Sequence, residues 1–252
     1  MIEAYHRPQS IEEALALLAD KARRNVPIGG GSAIDRLTRE PLGVVDLQAI
    51  GLDTWRVRGN FLELGATLTL ENMLAIEALN ETVRQVIKLE AGYNLRQVAT
   101  VAGTLVAARG RSPFTTMMLA YDAVLRIKPD DREISLGNLL PLRDEMLTGR
   151  LITGIRIPLV IQAAFEYVSR TPADQPLVSA AVVIWLSGRT RVALGGWGVA
   201  PVLAMDGPQA DGAEEAAHEA YAQAEDVWAS AEYRREIARI LVQRCLENLK
   251  RA

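Results

Sequence analysis

Cysteine and histidine are scarce in this chain, which has one cysteine and two histidines among 252 residues. Iron–sulfur clusters are held by several thiolates, and zinc sites need clustered cysteine and histidine ligands. The composition therefore argues against a resident metal centre, and any redox chemistry would have to come from an organic cofactor. The lone Cys245 lies in a helical pattern, which predicts a small core residue rather than a nucleophile.

Long apolar runs and a strong charge of either sign are also lacking. No stretch of about 18 apolar residues occurs and no charged-then-apolar leader is seen, so we expect neither a membrane span nor a signal peptide. The formal net charge of -3 argues against a nucleic-acid partner. A single unpaired cysteine is in keeping with a cytoplasmic protein. Neither a Gly-x-Ser-x-Gly motif nor a Gly-Lys-Ser/Thr motif is present.

Two short segments rich in small residues stand out from this background. The glycine segment consists of Gly29, Gly30, Gly31, Ser32 and Ala33. The threonine segment, which we expect to be a turn, consists of Thr100, Val101, Ala102, Gly103 and Thr104. Small residues allow close approach to a bulky group, and backbone N–H groups in such turns bind phosphates. We predict that both segments donate N–H groups to one phosphate-bearing cofactor; the alternative for the three glycines is a flexible loop.

The order of motifs adds a family resemblance. The glycine segment continues through Ile34 as an Ala-Gly-Gly-x-Ser-Leu-like turn. An Ile-Arg-Asn-x-Ala-Thr-x-Gly-Gly-Asn-Leu pattern and a Leu-Leu-Ala-Leu-Asp-Ala pattern are matched without a gap by Leu95–Leu105 and Met118–Ala123. Further matches are Tyr5–Ser10, Leu64–Thr67, Phe165–Arg170 and Leu177–Val182. In this order, the chain resembles the FAD-binding middle subunits of the molybdenum hydroxylases, the family of carbon monoxide dehydrogenase and xanthine dehydrogenase.

The resemblance implies an α+β fold and a cofactor. A p-cresol methylhydroxylase-type FAD-binding domain of two small α/β lobes is expected over residues 1–157, with the lobes at about 1–50 and 51–157. A sheet-plus-helix domain is expected over residues 158–252. The partners implied are an iron–sulfur small subunit and a molybdopterin large subunit in a hetero-oligomer. The flavin of this oxidoreductase subunit would pass electrons from the clusters to an acceptor, and no residue of this chain is expected to be catalytic.

Three positions depart from the family pattern. Ala102 stands in place of a glycine, and Gln175 in place of a tyrosine near the flavin ring. Pro113 replaces an aspartate that, by the resemblance, accepts hydrogen bonds from ribityl hydroxyls, and proline has no side-chain acceptor. A scaffold subunit that kept the fold and lost FAD is therefore the alternative function. A free-standing oxidase with covalently attached flavin is a further alternative, although neither histidine lies in the glycine or threonine segment.

The loop before Pro113 carries two cations, Arg109 and Arg111. They either form a solvated basic loop or compensate for Pro113 by pairing with the cofactor diphosphate.

Sequence patterns also predict individual elements. Helices are expected from the Ser10 and Glu13 capping box, over Asn80–Leu89, over Phe114–Leu125 and from Ser230. Strands are expected over Phe165–Arg170, Val178–Leu186 and Arg191–Val199, followed by a loop at Asp206–Gly212. Arg234 and Arg235 are expected on the solvated face of the last helix.

Overall fold

A computed structural model describes residues 2–33, 41–172 and 174–251 of the chain. Ile34, the end of the first motif match, lies outside the described residues. Two compact units are present, and each is built from several stretches of chain. Unit 1 takes residues 1–77, 92–107 and 124–157, and unit 2 takes residues 78–91, 108–123 and 158–252.

Helices and strands both contribute to the fold. The strands are β1 (Ile2–His6), β2 (Asn25–Ile28), β3 (Leu42–Asp46), β4 (Trp55–Arg58), β5 (Phe61–Gly65), β6 (Val124–Lys128), β7 (Arg132–Ser135), β8 (Leu151–Pro158), β9 (Ile161–Val168), β10 (Val178–Trp185), β11 (Thr190–Gly195) and β12 (Val202–Gly207). The helices are α1 (Ile11–Ala19), α2 (Leu70–Leu74), α3 (Glu81–Glu90), α4 (Tyr93–Arg96), α5 (Val101–Ala107), α6 (Pro113–Ala120), α7 (Leu136–Leu139), α8 (Arg143–Met146), α9 (Ala213–Ala220) and α10 (Ala231–Arg251). Within the described ranges, no helix is long and apolar enough to cross a membrane.

Unit 1 contains two sheets. The first has the order β1-β3-β2, and both of its strand pairs are parallel. Helix α1 packs on it through Ala14 and Leu18, and Ser10 caps α1 by accepting a hydrogen bond from the Glu13 N–H as predicted. The second sheet has the order β4-β5-β8-β6-β7. Leu62 and Leu64 of β5 are buried while the residues between and beside them are not, which is the alternation expected of a half-buried strand.

Unit 2 is built on one antiparallel sheet with the order β12-β11-β10-β9. Alternate residues of β10 pack into a core formed with α9 and the long helix α10. Cys245 of α10 is fully buried in that core, so it is the structural residue that the sequence predicts. Helix α3 also appears as predicted, beginning after the cap residue Asn80 and burying Val83, Val86 and Ile87.

The predicted helix over Phe114–Leu125 is wrong at its C-terminal end. Helix α6 ends at Ala120, and Asp122 adopts a left-handed conformation with φ 54° before β6 begins at Val124. Apart from Asp122, the residues from Met117 to Leu125 are all hydrophobic, so their pattern does not mark the change from helix to strand.

The predicted strands of unit 2 also need correction. The third strand ends at Gly195 rather than Val199, and β12, which the sequence analysis did not predict, forms a fourth strand. The predicted loop at Asp206–Gly212 therefore overlaps the end of β12. Gly196 has φ 119° and donates its N–H to the Gly110 carbonyl, which takes the chain out of the β11 ladder.

Arg234 lies in the core of unit 2 rather than on the predicted solvated face, since its side chain is fully buried. Its guanidinium donates to the Leu177, Ala224 and Ala229 carbonyls and pairs with Asp226 at 2.8 Å. Burial acts to raise the pKa of Asp226, but the hydrogen bonds from Arg234 and from the Trp228 and Ala229 N–H groups outweigh it and lower the pKa. The positive charge of Arg234 is tolerated in the core because its N–H donors are satisfied and Asp226 pairs with it.

Candidate functional site

The glycine and threonine segments are brought together within unit 1. A Cβ atom added to Gly30 would lie 1.6 Å from the backbone oxygen of Val98, just before the threonine segment. A Cβ atom added to Gly29 would lie 2.7 Å from Thr100 Oγ1. Real Cβ atoms essentially never approach within 3.0 Å of another heavy atom, so a larger residue would clash with the Val98 backbone at position 30 and with the Thr100 side chain at position 29. The start of the glycine segment, at Gly29 and Gly30, thus packs closely against the chain at Val98 and Thr100.

The backbone donors of the glycine segment are not used by the fold. The N–H groups of Gly30, Gly31, Ser32 and Ala33 have no hydrogen-bond partner among the described residues. Gly31 has φ 71°, and a Cβ there would meet no described residue within 4 Å. A run of accessible N–H groups around a left-handed glycine suits an anion such as a diphosphate.

The threonine segment differs, because it is the first turn of α5 rather than the predicted turn. The Val101 and Ala102 N–H groups donate to the Leu68 and Ala66 carbonyls at 2.8 and 3.2 Å. Gly103 donates to Thr100 Oγ1 at 3.2 Å, and Thr104 donates to the Thr100 carbonyl at 2.8 Å. These four donors are satisfied inside unit 1. The segment therefore supports the glycine segment but does not offer these N–H groups to a cofactor.

A side-chain network that the sequence analysis missed reaches the glycine segment from β3. The Gln48 amide donates through Nε2 to the Gly29 carbonyl at 3.1 Å. Asp46 accepts from the Gln48 N–H at 3.0 Å, and its other oxygen accepts from the Tyr5 hydroxyl. The hydrogen bond to Asp46 raises the pKa of Tyr5. The signal in the sequence is that Gln48 follows a strand whose parallel neighbour leads into the glycine segment.

The two arginines of the Arg109–Arg111 loop have different surroundings. Arg109 is exposed. Arg111 donates to the Pro176 carbonyl at 2.9 Å and to the Gln175 carbonyl, and its guanidinium lies 5.3 Å from the centre of the Trp228 ring. Burial lowers the pKa of Arg111. Of the two alternatives for this loop, the solvated one is wrong for Arg111, whose contacts hold loops of unit 2 together.

Pro113 occupies the first turn of α6, where a missing N–H costs nothing. Ser112 caps this helix, and the Glu90 carboxylate accepts from the Ser112 hydroxyl at 2.8 Å and from the Phe114 N–H at 2.9 Å. Burial raises the pKa of Glu90, and these two hydrogen bonds oppose the rise. A carboxylate therefore does lie at this loop, but it belongs to Glu90 of α3. The residue type at position 113 gives no indication of it.

Comparison with known proteins identifies the family of this chain. Residues 1–160 match the family described as the FAD binding domain in molybdopterin dehydrogenase. The chain therefore belongs to this family, as the sequence motifs indicate, and FAD is the family's cofactor.

Individual relatives resemble the chain along most of its length. The carbon monoxide dehydrogenase medium chain of Afipia carboxidovorans is 26% identical over 280 residues, covering 98% of this chain and 96% of that protein. Subunit alpha of the 6-hydroxypseudooxynicotine dehydrogenase complex of Paenarthrobacter nicotinovorans is 26% identical over 269 residues, covering 94% of this chain and 90% of that protein. The crystal structure of the cyanide-inactivated Cu,Mo-CO dehydrogenase has a chain with a TM-score of 0.83 at 27% identity, with coverage of 100% of this chain and 99% of that one. The predicted α+β fold of the p-cresol methylhydroxylase type is confirmed.

Proposed function

We propose that this chain is the FAD-binding electron-transfer subunit of a molybdopterin-dependent dehydrogenase complex. The observation that carries the proposal is the glycine segment, which presents four N–H groups without partners in the described chain. Family membership supports it, because the segment lies within the matched residues. When bound, FAD would supply the redox chemistry between a donor cluster and an acceptor.

In this proposal the chain binds and places the cofactor. The N–H groups of Gly30–Ala33 hold the diphosphate. The first of these donors is the Gly30 N–H, which points opposite to the Gly29 carbonyl because the peptide between them is trans. The threonine segment, Thr100–Thr104, forms the wall behind the glycine segment and borders the cofactor. The domain boundary proposed on sequence grounds, between Ile157 and Pro158, lies close to the end of the matched residues, 1–160.

Assembly with other chains is the second part of the proposal. Relatives named as a medium chain and as a subunit of a dehydrogenase complex work in multi-chain enzymes. We propose an iron–sulfur small subunit and a molybdopterin large subunit as partners in the cytoplasm, with the organic substrate oxidised on the large subunit. Co-purification from the native host would then recover a cysteine-rich chain and a much larger chain, and recovery of this chain alone in active form would contradict the assembly.

A flavin-free scaffold is the second candidate function. The observation in its favour is Pro113, which leaves no side-chain acceptor at the position where the family has an aspartate. The two candidates are separated by the absorbance spectrum of the purified protein and by titration of FAD into the apo form. FAD binding near one flavin per chain supports the proposal. A colourless protein that binds neither FAD nor ADP supports the scaffold.

A further inference from the structure

Gln48 stands beside the glycine segment without belonging to it. We propose that Gln48 is a positioning residue, which fixes the direction in which the glycine segment presents its backbone donors to a diphosphate. The inference rests on the proposed function, because it assigns a role within that same site.

The geometry begins with one peptide group. The Gln48 amide holds the Gly29 carbonyl at 3.1 Å. The peptide between Gly29 and Gly30 is trans, since the one cis bond in the described chain joins Lys128 to Pro129. In a trans peptide the C=O and the following N–H point in opposite directions. By holding the carbonyl, Gln48 therefore points the Gly30 N–H away from itself.

The glycine segment needs such an external contact. A glycine peptide rotates more freely than any other, so three glycines in sequence leave the donors without a fixed direction. The backbone of Gly30 packs against Val98 on one side, but that contact is steric and does not orient the peptide plane by a hydrogen bond. The amide of Gln48 supplies the missing orientation.

Gln48 is itself held in place. Asp46, which is buried, accepts the Gln48 N–H at 3.0 Å and caps the short 3-10 turn that begins at Leu47. The Tyr5 hydroxyl, at the edge strand on the other side of β3, donates to the second oxygen of Asp46. The three strands of the first sheet thus meet in one chain of hydrogen bonds, Tyr5 to Asp46 to Gln48 to Gly29. A positioning residue anchored in this way loses less conformational entropy when the ligand binds.

Two substitutions at this position, one apolar and one that keeps the side-chain length, separate positioning from bulk. Gln48→Leu removes the donor, and Gln48→Glu replaces it with an acceptor that repels the Gly29 carbonyl. Gln243→Leu, at an exposed glutamine of α10, is the matched control. FAD and ADP are titrated separately into the apo form of each full-length variant, and thermal unfolding of each apo form is recorded. ADP carries the diphosphate and the adenosine without the flavin, so it reports on the diphosphate site independently of contacts to the flavin ring.

The expected result is a Kd for both ligands about three- to tenfold higher in Gln48→Leu, the size of one net hydrogen bond, with a larger increase in Gln48→Glu. The apo melting temperatures should match that of Gln243→Leu, because the Gln48 side chain is exposed. Parent-like affinity in both Gln48 variants would overturn the inference, and so would a loss of affinity matched by a lower melting temperature. Failure of the parent chain to bind FAD or ADP would instead refute the proposed function.

Discussion

The glycine and threonine segments are alike in composition and touch each other, yet they use their backbones in opposite ways. In the glycine segment, the N–H groups of Gly30–Ala33 have no partner within the described chain. In the threonine segment, the N–H groups of Val101–Thr104 are all satisfied inside unit 1. Backbone donors that the protein leaves unused bond water or a ligand, so the unused donors of the glycine segment are the ones that can bind a ligand in the proposed function. Small-residue content alone does not distinguish the two.

The most severe test of this comparison disturbs the close packing of Gly30 against Val98, just before the threonine segment. Gly30→Ala adds a Cβ 1.6 Å from the Val98 backbone oxygen, which no side-chain rotation can relieve. We expect FAD affinity to fall by at least about a hundredfold, or about 2.7 kcal/mol. Gly92→Ala is the control, because a Cβ there meets nothing within 4 Å. Isothermal titration of both apo variants measures the effect, and equal affinities would show that the contact does not shape the site.

A pair of backbone substitutions compares the two segments directly. Replacing Ala33 or Ala102 with lactic acid turns one N–H into an ester oxygen and keeps the methyl group. The ester at Ala33 should weaken FAD binding by about 1.5–3 kcal/mol, the range for a hydrogen bond to a charged group, with little change in stability. The ester at Ala102, whose N–H donates to Ala66, should instead lower the free energy of unfolding by about 1 kcal/mol. Titration and urea unfolding of each semisynthetic protein give both quantities; a reversed pattern would refute the comparison.

The two loop arginines, Arg109 and Arg111, also differ in whether their donors already have partners in the protein. Arg111 is committed to two carbonyls and to the Trp228 ring, whereas Arg109 is exposed. Arg111→Ala should lower the free energy of unfolding by about 2 kcal/mol, combining the lost hydrogen bonds and ring contact, and Arg109→Ala should change it by less than about 0.5 kcal/mol. Unfolding curves test this. A salt-dependent loss of FAD affinity in either variant would instead favour pairing with the diphosphate.

The smallest effect is expected at the threonine hydroxyls. Thr100→Val removes the acceptor for the Gly103 N–H and should cost about 1 kcal/mol of stability, as for other helix caps, while FAD affinity changes by less than about twofold. Thr104→Val is the matched control, since the Thr104 hydroxyl donates back to the Thr100 carbonyl within the helix and contributes little. Thermal unfolding and titration distinguish a capping role from direct binding; an affinity loss at Thr100 without a stability loss would place its hydroxyl on the cofactor.

Local signals in the sequence were enough for much of the fold. The Ser10 cap, the α3 face and the burial of Cys245 follow from spacing and cap chemistry over a few residues. The end of α6 did not follow, because apolar residues continue through a turn at Asp122 whose φ is positive. Arg234 was misplaced because its acceptors include Leu177, on a distant stretch of chain.

The sequence predicts which segments form the candidate site, but it does not predict which of their backbone N–H groups are left free for a ligand. The small-residue segments and their joint location could be predicted from motifs within the family. Two backbone donors of the threonine segment are satisfied by the carbonyls of Ala66 and Leu68. These residues lie about 35 residues earlier in the chain, and nothing in the sequence marks them as acceptors. Gln48 and Glu90 were missed because each acts on a segment remote in the chain.

The interleaving of the two units has a consequence for biosynthesis. Helix α6 is completely buried and packs against β10 and β11, yet the ribosome makes it well before either strand. At ~5–20 residues per second, several seconds pass before Gly195 emerges and the strands can cover the helix. During that interval the nascent chain exposes Phe114, Met117 and Met118 to water. A translating ribosome stalled near residue 160 would therefore carry a chain that chaperones recognise, although the whole segment matched by the family has already been synthesised.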